Sequence, residues 1–240
     1  MQAVPMIPLL DPAKGFPDTA LALTEPNGLL CAGGDLEPDT LIAAYGRGIF
    51  PWFADDQPIL WWSPDPRMVL FPGEFKVSKS LARTVKSHKF ETRFDTAFEE
   101  VVAGCAAPRH AAGGTWIVPE MREAYLRLHR LGIAHSVESW RPGEHGDELI
   151  GGLYGIALGR MFFGESMFTR ETDASKVALV ALVEKLQRDG FELIDCQQQT
   201  RHLASFGARP IPRRDFVGRL KVLINLGQSA SIWRVENVET

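Results

Sequence analysis

The chain has 240 residues, of which 45% are hydrophobic and 23% charged, and it carries a net charge of −4 with a pI near 5.9. A chain of this size buries enough apolar surface to fold without cross-links, which excludes a disordered chain, a collagen-like chain and a small disulfide-rich fold. Its length fits one large domain or two modest ones. Because the protein is acidic overall, it would bind nucleic acid only through a local basic patch.

Three scattered cysteines, Cys31, Cys105 and Cys196, form no Cys-x-x-Cys pair, which favours buried thiols in a reducing compartment. The longest uninterrupted apolar run, residues 177–183, is too short to cross a membrane. The apolar N-terminus lacks the basic region of a signal peptide. We therefore expect a cytoplasmic protein that does not associate with membranes.

The chain begins with a stretch rich in Pro, Gly and Asp, which predicts a small, irregular N-terminal domain over residues 1–65. A short helix is predicted over residues 39–45, closed by two glycines. An aromatic-rich stretch follows. Two prolines flank Asp65, which indicates an extended linker, and residues 66–240 form the second domain.

Helices dominate the first half of the second domain. Ser78 is the expected N-cap of a helix that reaches about Ser87. Thr96 and Glu99 form a capping box for a helix over residues 96–105. Pro119 begins a third helix. Its predicted buried face consists of Met121, Ala124, Tyr125, Leu128 and Leu131.

Strands and one more helix follow. The predicted elements are strands over 134–140, 149–158 and 161–168, a two-residue turn at Gly159-Arg160, a helix over 174–188 and a strand over 191–197. A helix between two strands implies a return to a parallel neighbour. We therefore predict an α+β fold with a mixed sheet, in the order of the N-acetyltransferase-like (GNAT) superfold, which hosts several acyl transfers.

The best catalytic candidate is the end of the last strand, Leu193-Ile194-Asp195-Cys196-Gln197. Strand alternation predicts that Asp195 and Gln197 share one face, opposite Ile194 and Cys196. An Asp beside a Gln can orient or deprotonate an amine and hold a developing oxyanion. The alternative is a strand end where polar residues meet solvent, and Cys196 is predicted to be a buried thiol.

Glu165 lies within the apolar run of residues 162–168, where a carboxylate is costly unless it is paired or used. It is either a receptor for a cationic substrate group or a structural acid, at an edge position or paired. The aromatic residues between 45 and 62 are interpreted mainly as core, with an apolar pocket or base stacking as the functional alternative.

Two basic clusters could bind a phosphate backbone, although such clusters are usually solvated faces. The first contains Lys76, Lys79, Arg83, Lys86, Lys89 and Arg93, and the second contains Arg201, Arg209, Arg213, Arg214, Arg219 and Lys221. The sequence carries no dinucleotide or P-loop motif, and its histidines have no metal-ligand spacing.

Nine blocks of the chain carry a resemblance: residues 25–30, 33–36, 46–53, 60–67, 114–117, 151–155, 163–168, 174–176 and 193–197. Among them are Leu60-Trp61-Trp62-Ser63-Pro64-Asp65-Pro66-Arg67 and Phe163-Gly164-Glu165-Ser166-Met167-Phe168. In content, order and spacing they resemble the bacterial leucyl/phenylalanyl-tRNA–protein transferase family.

The resemblance implies that the protein takes leucine or phenylalanine, and less well methionine, from an aminoacyl-tRNA. It would join this residue to the α-amino group of proteins that begin with Arg or Lys, which marks them for degradation by the N-end rule. It implies no metal or coenzyme. Its partners would be Leu-tRNA, Phe-tRNA and the acceptor proteins, and we expect a monomer.

The resemblance also assigns residues. Asp195, Gln197 and Glu165 match the catalytic group, and Lys76, Lys79, Arg83 and Lys86 are our candidates for the tRNA backbone. Aromatics near the aminoacyl-adenosine match Tyr45, Trp52, Trp116 and Tyr125. The side-chain pocket matches Leu153, Phe162, Leu179, Leu182, Leu186 and Ile194. Ile194 can line that pocket only if the strand twists or the pocket wraps around it, because alternation places it opposite Asp195.

Two mechanisms and two other functions stay open. Asp195, aided by Gln197, could deprotonate the acceptor amine, or a ribose hydroxyl of the tRNA could carry the proton while Asp195 only positions. A coenzyme-A-dependent N-acetyltransferase on the same fold would need an Arg/Gln-x-x-Gly-x-Gly/Ala loop before residue 174, which the chain lacks. The remaining alternative is a non-catalytic tRNA-binding module.

Overall fold

The computed structural model of the protein describes residues 7–107, 116–144, 146–227 and 233. Within them the strands are β1 (Leu29–Ala32), β2 (Phe50–Pro51), β3 (Leu60–Trp62), β4 (Arg67–Leu70), β5 (Glu91–Phe94), β6 (Ala134–Arg141), β7 (Glu148–Leu158), β8 (Met161–Thr169), β9 (Leu193–Gln197) and β10 (Arg209–Ile211). The helices are α1 (Pro38–Tyr45), α2 (Lys79–Lys86), α3 (Phe98–Ala106), α4 (Pro119–Arg130), α5 (Ala174–Arg188), α6 (Arg201–Ala204) and α7 (Arg213–Leu223).

Within the described residues, the main sheet has seven strands in the order β10-β4-β9-β8-β7-β6-β5. Its strand pairs are antiparallel except β8 and β9, which are parallel because α5 returns the chain to the same end of the sheet. The predicted order of three antiparallel strands, a helix and a returning strand is confirmed, and so is an α+β fold with a mixed sheet. None of the helices in the described part of the chain is long and apolar enough to cross a membrane.

Helices cover both faces of this sheet. On one face, α3 and α4 pack on β6, β7 and β8 and share a buried cluster with α1 and α7. On the other face, α5 packs on β6 and β7 and forms a second buried cluster, which includes Leu81 of α2. The amphipathic pattern of residues 174–188 arises because one side of α5 faces this sheet.

The N-terminal segment forms α1 and a small sheet of order β1-β3-β2. Its residues Leu30 and Trp61 share one buried cluster with Val69 and Leu193 of the main sheet. The division into domains 1–65 and 66–240 stays a prediction.

The segment at Asp65, predicted to be an extended linker, makes specific contacts with the rest of the chain. The backbone N–H of Asp65 donates to Asn27 Oδ1, and Asn27 Nδ2 donates to the Asp65 carbonyl. The Asp65 carboxylate also accepts from the backbone N–H of Arg213. Contacts to two distant parts of the chain therefore hold this segment in place.

Two details of the helix predictions are wrong. Thr96 does not cap α3, whose N-cap is Ala97, because its hydroxyl donates to the buried carboxylate of Glu138 at 3.0 Å. A buried carboxylate needs donors, and this need outweighs a local cap. Leu131 is 59% exposed, since α4 ends at Arg130 and the chain turns away from the buried face.

A glycine allows the close approach of β7 and β8 beside the site. A Cβ at Gly155 would lie 2.2 Å from the Phe163 carbonyl oxygen, at a register irregularity of this strand pair. Gly155→Ala is expected to lower the free energy of unfolding by about 1–3 kcal/mol in urea titrations. The control is Gly164→Ala on β8, where the nearest atom would lie at 3.6 Å and the loss should be smaller. Equal losses would contradict this reading.

Candidate active site

A cavity of about 1040 Å³ opens where β8 and β9 diverge. The two strands pair from Met161 to Phe163 on β8 and from Leu193 to Asp195 on β9, whereas β8 continues to Thr169 beside β7. Beyond these pairs the main-chain groups of β8 and β9 no longer meet, and side chains of both strands line the gap. The divergence therefore creates a pocket in the middle of the sheet.

Glu165 lies on β8 beyond the last residue that pairs with β9, and its carboxyl group contacts two tyrosine hydroxyls. The Tyr45 hydroxyl lies 2.8 Å from Oε1, and the Tyr125 hydroxyl lies 2.5 Å from Oε2. The two hydroxyl oxygens are 2.9 Å apart. Gln197 Nε2 donates to Oε1 at 2.8 Å. One carboxyl group thus joins α1, α4 and β9, three elements that are distant in sequence.

The environment of Glu165 favours its neutral form. Burial raises the pKa of its carboxyl to about 7, and the nearby charge of Asp195 acts in the same direction. Hydrogen bonds that Tyr125, Tyr45 and Gln197 donate to the ionised form of the carboxyl oppose this shift. Burial and the same carboxylate raise the pKa of both tyrosines well above 10, so they remain protonated. Near neutral pH, the carboxyl is the group in this cluster that gains or loses a proton.

Asp195 is fully buried and paired with an arginine. Arg67 of β4, also fully buried, donates from Nε to Oδ1 at 2.8 Å and from Nη2 to Oδ2 at 2.6 Å. Its Nη1 donates to the Gly48 carbonyl, and the guanidinium lies against the rings of Phe50 and Phe216. Because both oxygens of Asp195 accept from the guanidinium, this geometry favours the alternative in which Asp195 positions other groups.

Gln197 leaves regular strand geometry. Asp195 and Gln197 face Val69 and Met68, which are adjacent on β4, so Cys196 is an extra residue in β9. Gln197 has a φ of 59°, and its backbone N–H donates to Asp195 Oδ1 at 2.9 Å. The regular alternation predicted for this strand end is therefore wrong, since a bulge redirects the Gln197 side chain toward Glu165.

Cys196, predicted to be a buried thiol, is only partly buried. It lines the cavity because it is the bulged residue. Burial and the adjacent Asp195 raise the pKa of its thiol, so it is protonated at neutral pH and is a poor nucleophile.

The four predicted aromatics divide into two pairs. Trp52 and Trp116 line the cavity, and Trp52 is 40% exposed and packs edge-on against Trp62. Tyr45 and Tyr125 are almost fully buried, so their ring faces are not available to stack on a base. Their hydroxyls contact Glu165 instead, and their predicted place near the aminoacyl-adenosine stays a prediction.

Most of the predicted apolar pocket lies together. The residues that line the cavity are Leu153, Phe162, Leu179, Leu182 and Ile194. Leu186 is fully buried one turn beyond Leu182 on α5 and does not line it, which is a correction. Ile194 and Asp195 both reach the cavity, although they alternate along β9, because the pocket lies in the gap between strands and is open to both faces.

Arg67 is the important site residue that sequence reasoning missed. It follows Pro66 at the start of a fully buried strand of sequence Arg-Met-Val-Leu. An arginine in such a strand needs a buried anion as partner, and this was the available signal.

The four basic residues predicted to contact the tRNA backbone lie at the protein surface. Lys76, Lys79, Arg83 and Lys86 are all exposed, on α2 or just before it. Ser78 caps α2 as predicted, with Oγ accepting from Leu81 N. Thr84 of α2 contacts Asp173, the N-cap of α5, and the first turn of α5 lines the cavity.

Comparison with known proteins shows the family to which this chain belongs. Models of the leucyl/phenylalanyl-tRNA protein transferase family and of its N-terminal domain match residues 69–221 and 34–65. The chain belongs to this family. A leucyl/phenylalanyl-tRNA–protein transferase of Aromatoleum aromaticum is 59% identical over 231 residues, 96% of each chain. Another, of Nitrosospira multiformis, is 57% identical over 95% of this chain and 97% of its own.

Family membership identifies the protein as an aminoacyltransferase, as the resemblance implied. Solved structures are much more distant. L-PGS from Bacillus licheniformis has a TM-score of 0.38 and 11% identity, covering 77% of this chain and 62% of its own. A functionally unknown conserved protein from Staphylococcus epidermidis has a TM-score of 0.40 and 8% identity, covering 77% and 68%. Likenesses of this degree say nothing about the reaction.

Proposed function

We propose that this enzyme transfers leucine or phenylalanine, and less well methionine, from aminoacyl-tRNA to the α-amino group of proteins that begin with Arg or Lys. The observation that carries the proposal is one cavity in which an apolar pocket adjoins Glu165 and Gln197. The ester of an aminoacyl-tRNA is already activated. The site therefore has only to place an amine against a carbonyl and manage one proton and one oxyanion.

The apolar part of the cavity supports this choice of donor. Leucine and phenylalanine side chains fill a pocket formed by Leu153, Phe162, Leu179, Leu182 and Ile194. A β-branched side chain widens next to the backbone and fits such a pocket less well. Apolar contacts discriminate by only ~1–3 kcal/mol per methylene, so some transfer of methionine is expected.

The polar part supports a division of roles. Asp195, held by Arg67, fixes the backbone of Gln197 at a positive φ. Gln197 and Glu165 then face the cavity at the point where the acceptor amine would attack. In this proposal Asp195 is a positioning residue, and Glu165 and Gln197 touch the reacting groups.

The proposal includes the domain arrangement, the cellular location and the oligomeric state. A parallel strand pair that opens beside the substrate cavity supports a GNAT-like arrangement of the second domain, behind a small N-terminal domain of residues 1–65. We also place the protein in the cytoplasm as a monomer. No disulfide joins Cys31, Cys105 and Cys196 to one another, which suits a reducing compartment.

Direct transfer tests the proposal. The protein is incubated with labelled Leu-tRNA and a peptide that begins with Arg, beside a matched peptide that begins with Ala. Label in the Arg peptide alone is expected. Bound tRNA without transfer would favour a binding module. Neither binding nor transfer, with binding of acetyl-coenzyme A, would favour an acetyltransferase.

Charge removal on α2 tests the tRNA surface. The double variant Lys79→Ala/Arg83→Ala is expected to weaken tRNA binding for all donors alike and to reduce the slope of log Kd against log salt by about 2. Filter binding across a salt series measures both quantities. Arg130→Ala on α4, which removes one exposed charge elsewhere, is the control and should leave the slope nearly unchanged. An unchanged slope in the double variant would place the tRNA elsewhere.

A further inference from the structure

Three oxygen-bearing groups in the active site form a closed triangle. Glu165 Oε1 lies 2.8 Å from the Tyr45 hydroxyl, Oε2 lies 2.5 Å from the Tyr125 hydroxyl, and the two hydroxyls are 2.9 Å from each other. All three separations are hydrogen-bond distances for O–H···O. Every side of the triangle therefore needs a proton.

Counting protons decides between the two states of the carboxyl. Each tyrosine hydroxyl supplies one proton, and an ionised carboxylate supplies none. With Glu165 ionised, both hydroxyls donate to it, and the Tyr45–Tyr125 contact is left with lone pairs facing each other at 2.9 Å. With Glu165 protonated, three protons serve three contacts.

The direction of this ring follows from its fourth partner. Gln197 Nε2 donates to Oε1, which makes Oε1 the accepting, carbonyl-like oxygen. The proton then lies on Oε2 and points to Tyr125, which donates to Tyr45, which donates back to Oε1. This arrangement satisfies every member without moving an atom.

We propose that Glu165, Tyr45 and Tyr125 form a closed hydrogen-bonded ring that stores one proton in the resting enzyme and uses it in the transfer step. This inference rests on the proposed aminoacyl transfer and names the group that carries its proton. It replaces the sequence-based interpretation of Glu165 as a charged receptor for a cationic group.

The surroundings support a neutral ring. The charge of Asp195 disfavours a second anion at Glu165, and Arg67 is already paired with Asp195. Tyr154 packs edge-on behind Tyr125, and its hydroxyl has no hydrogen-bond partner within the described residues. Among those residues, no basic side chain donates a hydrogen bond to Glu165. The raised pKa of its carboxyl agrees with the ring.

The transfer step then balances. The free acceptor amine forms the new N–C bond at the ester carbonyl carbon, and the nitrogen becomes positively charged. As the C–O bond to the ribose breaks, the Glu165 carboxyl gives its proton to the departing ribose oxygen. The charged nitrogen returns one proton to the carboxylate. The products are an amide and a ribose hydroxyl, and the ring regains its proton.

Infrared difference spectroscopy tests the stored proton without using activity. Spectra of the wild type minus Glu165→Gln are taken at about pH 6 and about pH 8, around the pKa range in question. A protonated carboxyl band at the lower pH, replaced by a carboxylate band at the higher pH, is expected. A carboxylate band alone at about pH 6 would overturn the proposal. Tyr154→Phe, the neighbouring tyrosine outside the ring, should retain the acid band.

Glu165→Gln also tests the use of the proton. A Gln amide can donate to one tyrosine and accept from the other, so it keeps three protons for three contacts but cannot release one. We expect kcat to fall by about 10²-fold or more while both KM values change by less than about 3-fold. The wild-type dependence of kcat on pH near neutrality should also disappear.

The other possible outcomes distinguish the proton-carrying ring from two alternative roles of Glu165. A raised acceptor KM with kcat retained would mean that Glu165 anchors the amine by its charge. Unchanged kcat would mean that a ribose hydroxyl of the tRNA, and not Glu165, carries the proton. Either result overturns the ring as a proton carrier. Absence of transfer by the wild type would instead refute the proposed function, while the acid band still reports on the ring.

Discussion

Asp195→Ala is expected to lower the free energy of unfolding by about 3–5 kcal/mol, because it leaves the guanidinium of Arg67 buried without a counter-charge. Both side chains are fully buried, so water cannot replace the missing carboxylate. Urea or thermal unfolding of the purified variant measures the loss. Breaking the exposed pair of Arg130 and Glu123 by Glu123→Ala is the control, and it should cost less than about 1 kcal/mol.

A double variant separates stability from activity. Arg67→Met/Asp195→Leu replaces the ion pair by apolar groups and is expected to regain most of the lost stability. Its transfer activity should stay low by about 10²-fold, because nothing then holds the backbone N–H of Gln197. Nearly full activity in a stable double variant would show that Asp195 does not position Gln197. Loss of stability equal to that of Asp195→Ala would contradict the ion-pair explanation.

Local patterns were sufficient to predict much of the main sheet. Residues 134–168 form long strands with a two-residue turn, and the apolar stripe of α5 spans four turns, so each element is visible within its own sequence. The short outer strands β5 and β10 have four and three residues, too few to show a periodicity. Their places depend on pairing with β6 and β4, which lie far away in the chain.

The acidic residues of the candidate site could be predicted from the sequence, but the residues that pair with them could not. Glu165 and Asp195 stood out because each is an acid among apolar residues. Their partners come from segments that no local rule links to them, since Arg67 is 128 residues from Asp195 and Tyr45 is 120 from Glu165. The bulge at Cys196 was hidden for the same reason, because it exists only relative to β4.

Glu165→Gln is expected to change how stability depends on pH. In the folded protein burial raises the pKa of the Glu165 carboxyl from 4.5 to about 7. A raised pKa means that the folded state keeps its proton after the unfolded chain has lost it. The associated stability is therefore complete below about pH 4.5 and is lost as the pH rises to about 7.

The wild type should thus lose on the order of 3 kcal/mol between these limits through this one group, since each pKa unit corresponds to about 1.4 kcal/mol. A glutamine cannot ionise, so Glu165→Gln should escape this loss and gain on the wild type as the pH increases. Urea unfolding of both proteins at about pH 5 and about pH 8 measures the difference between them, in which the other titrating groups cancel. Parallel stability curves would show that Glu165 is already ionised in the folded protein, and Tyr154→Phe, which leaves the carboxyl in place, should follow the wild type.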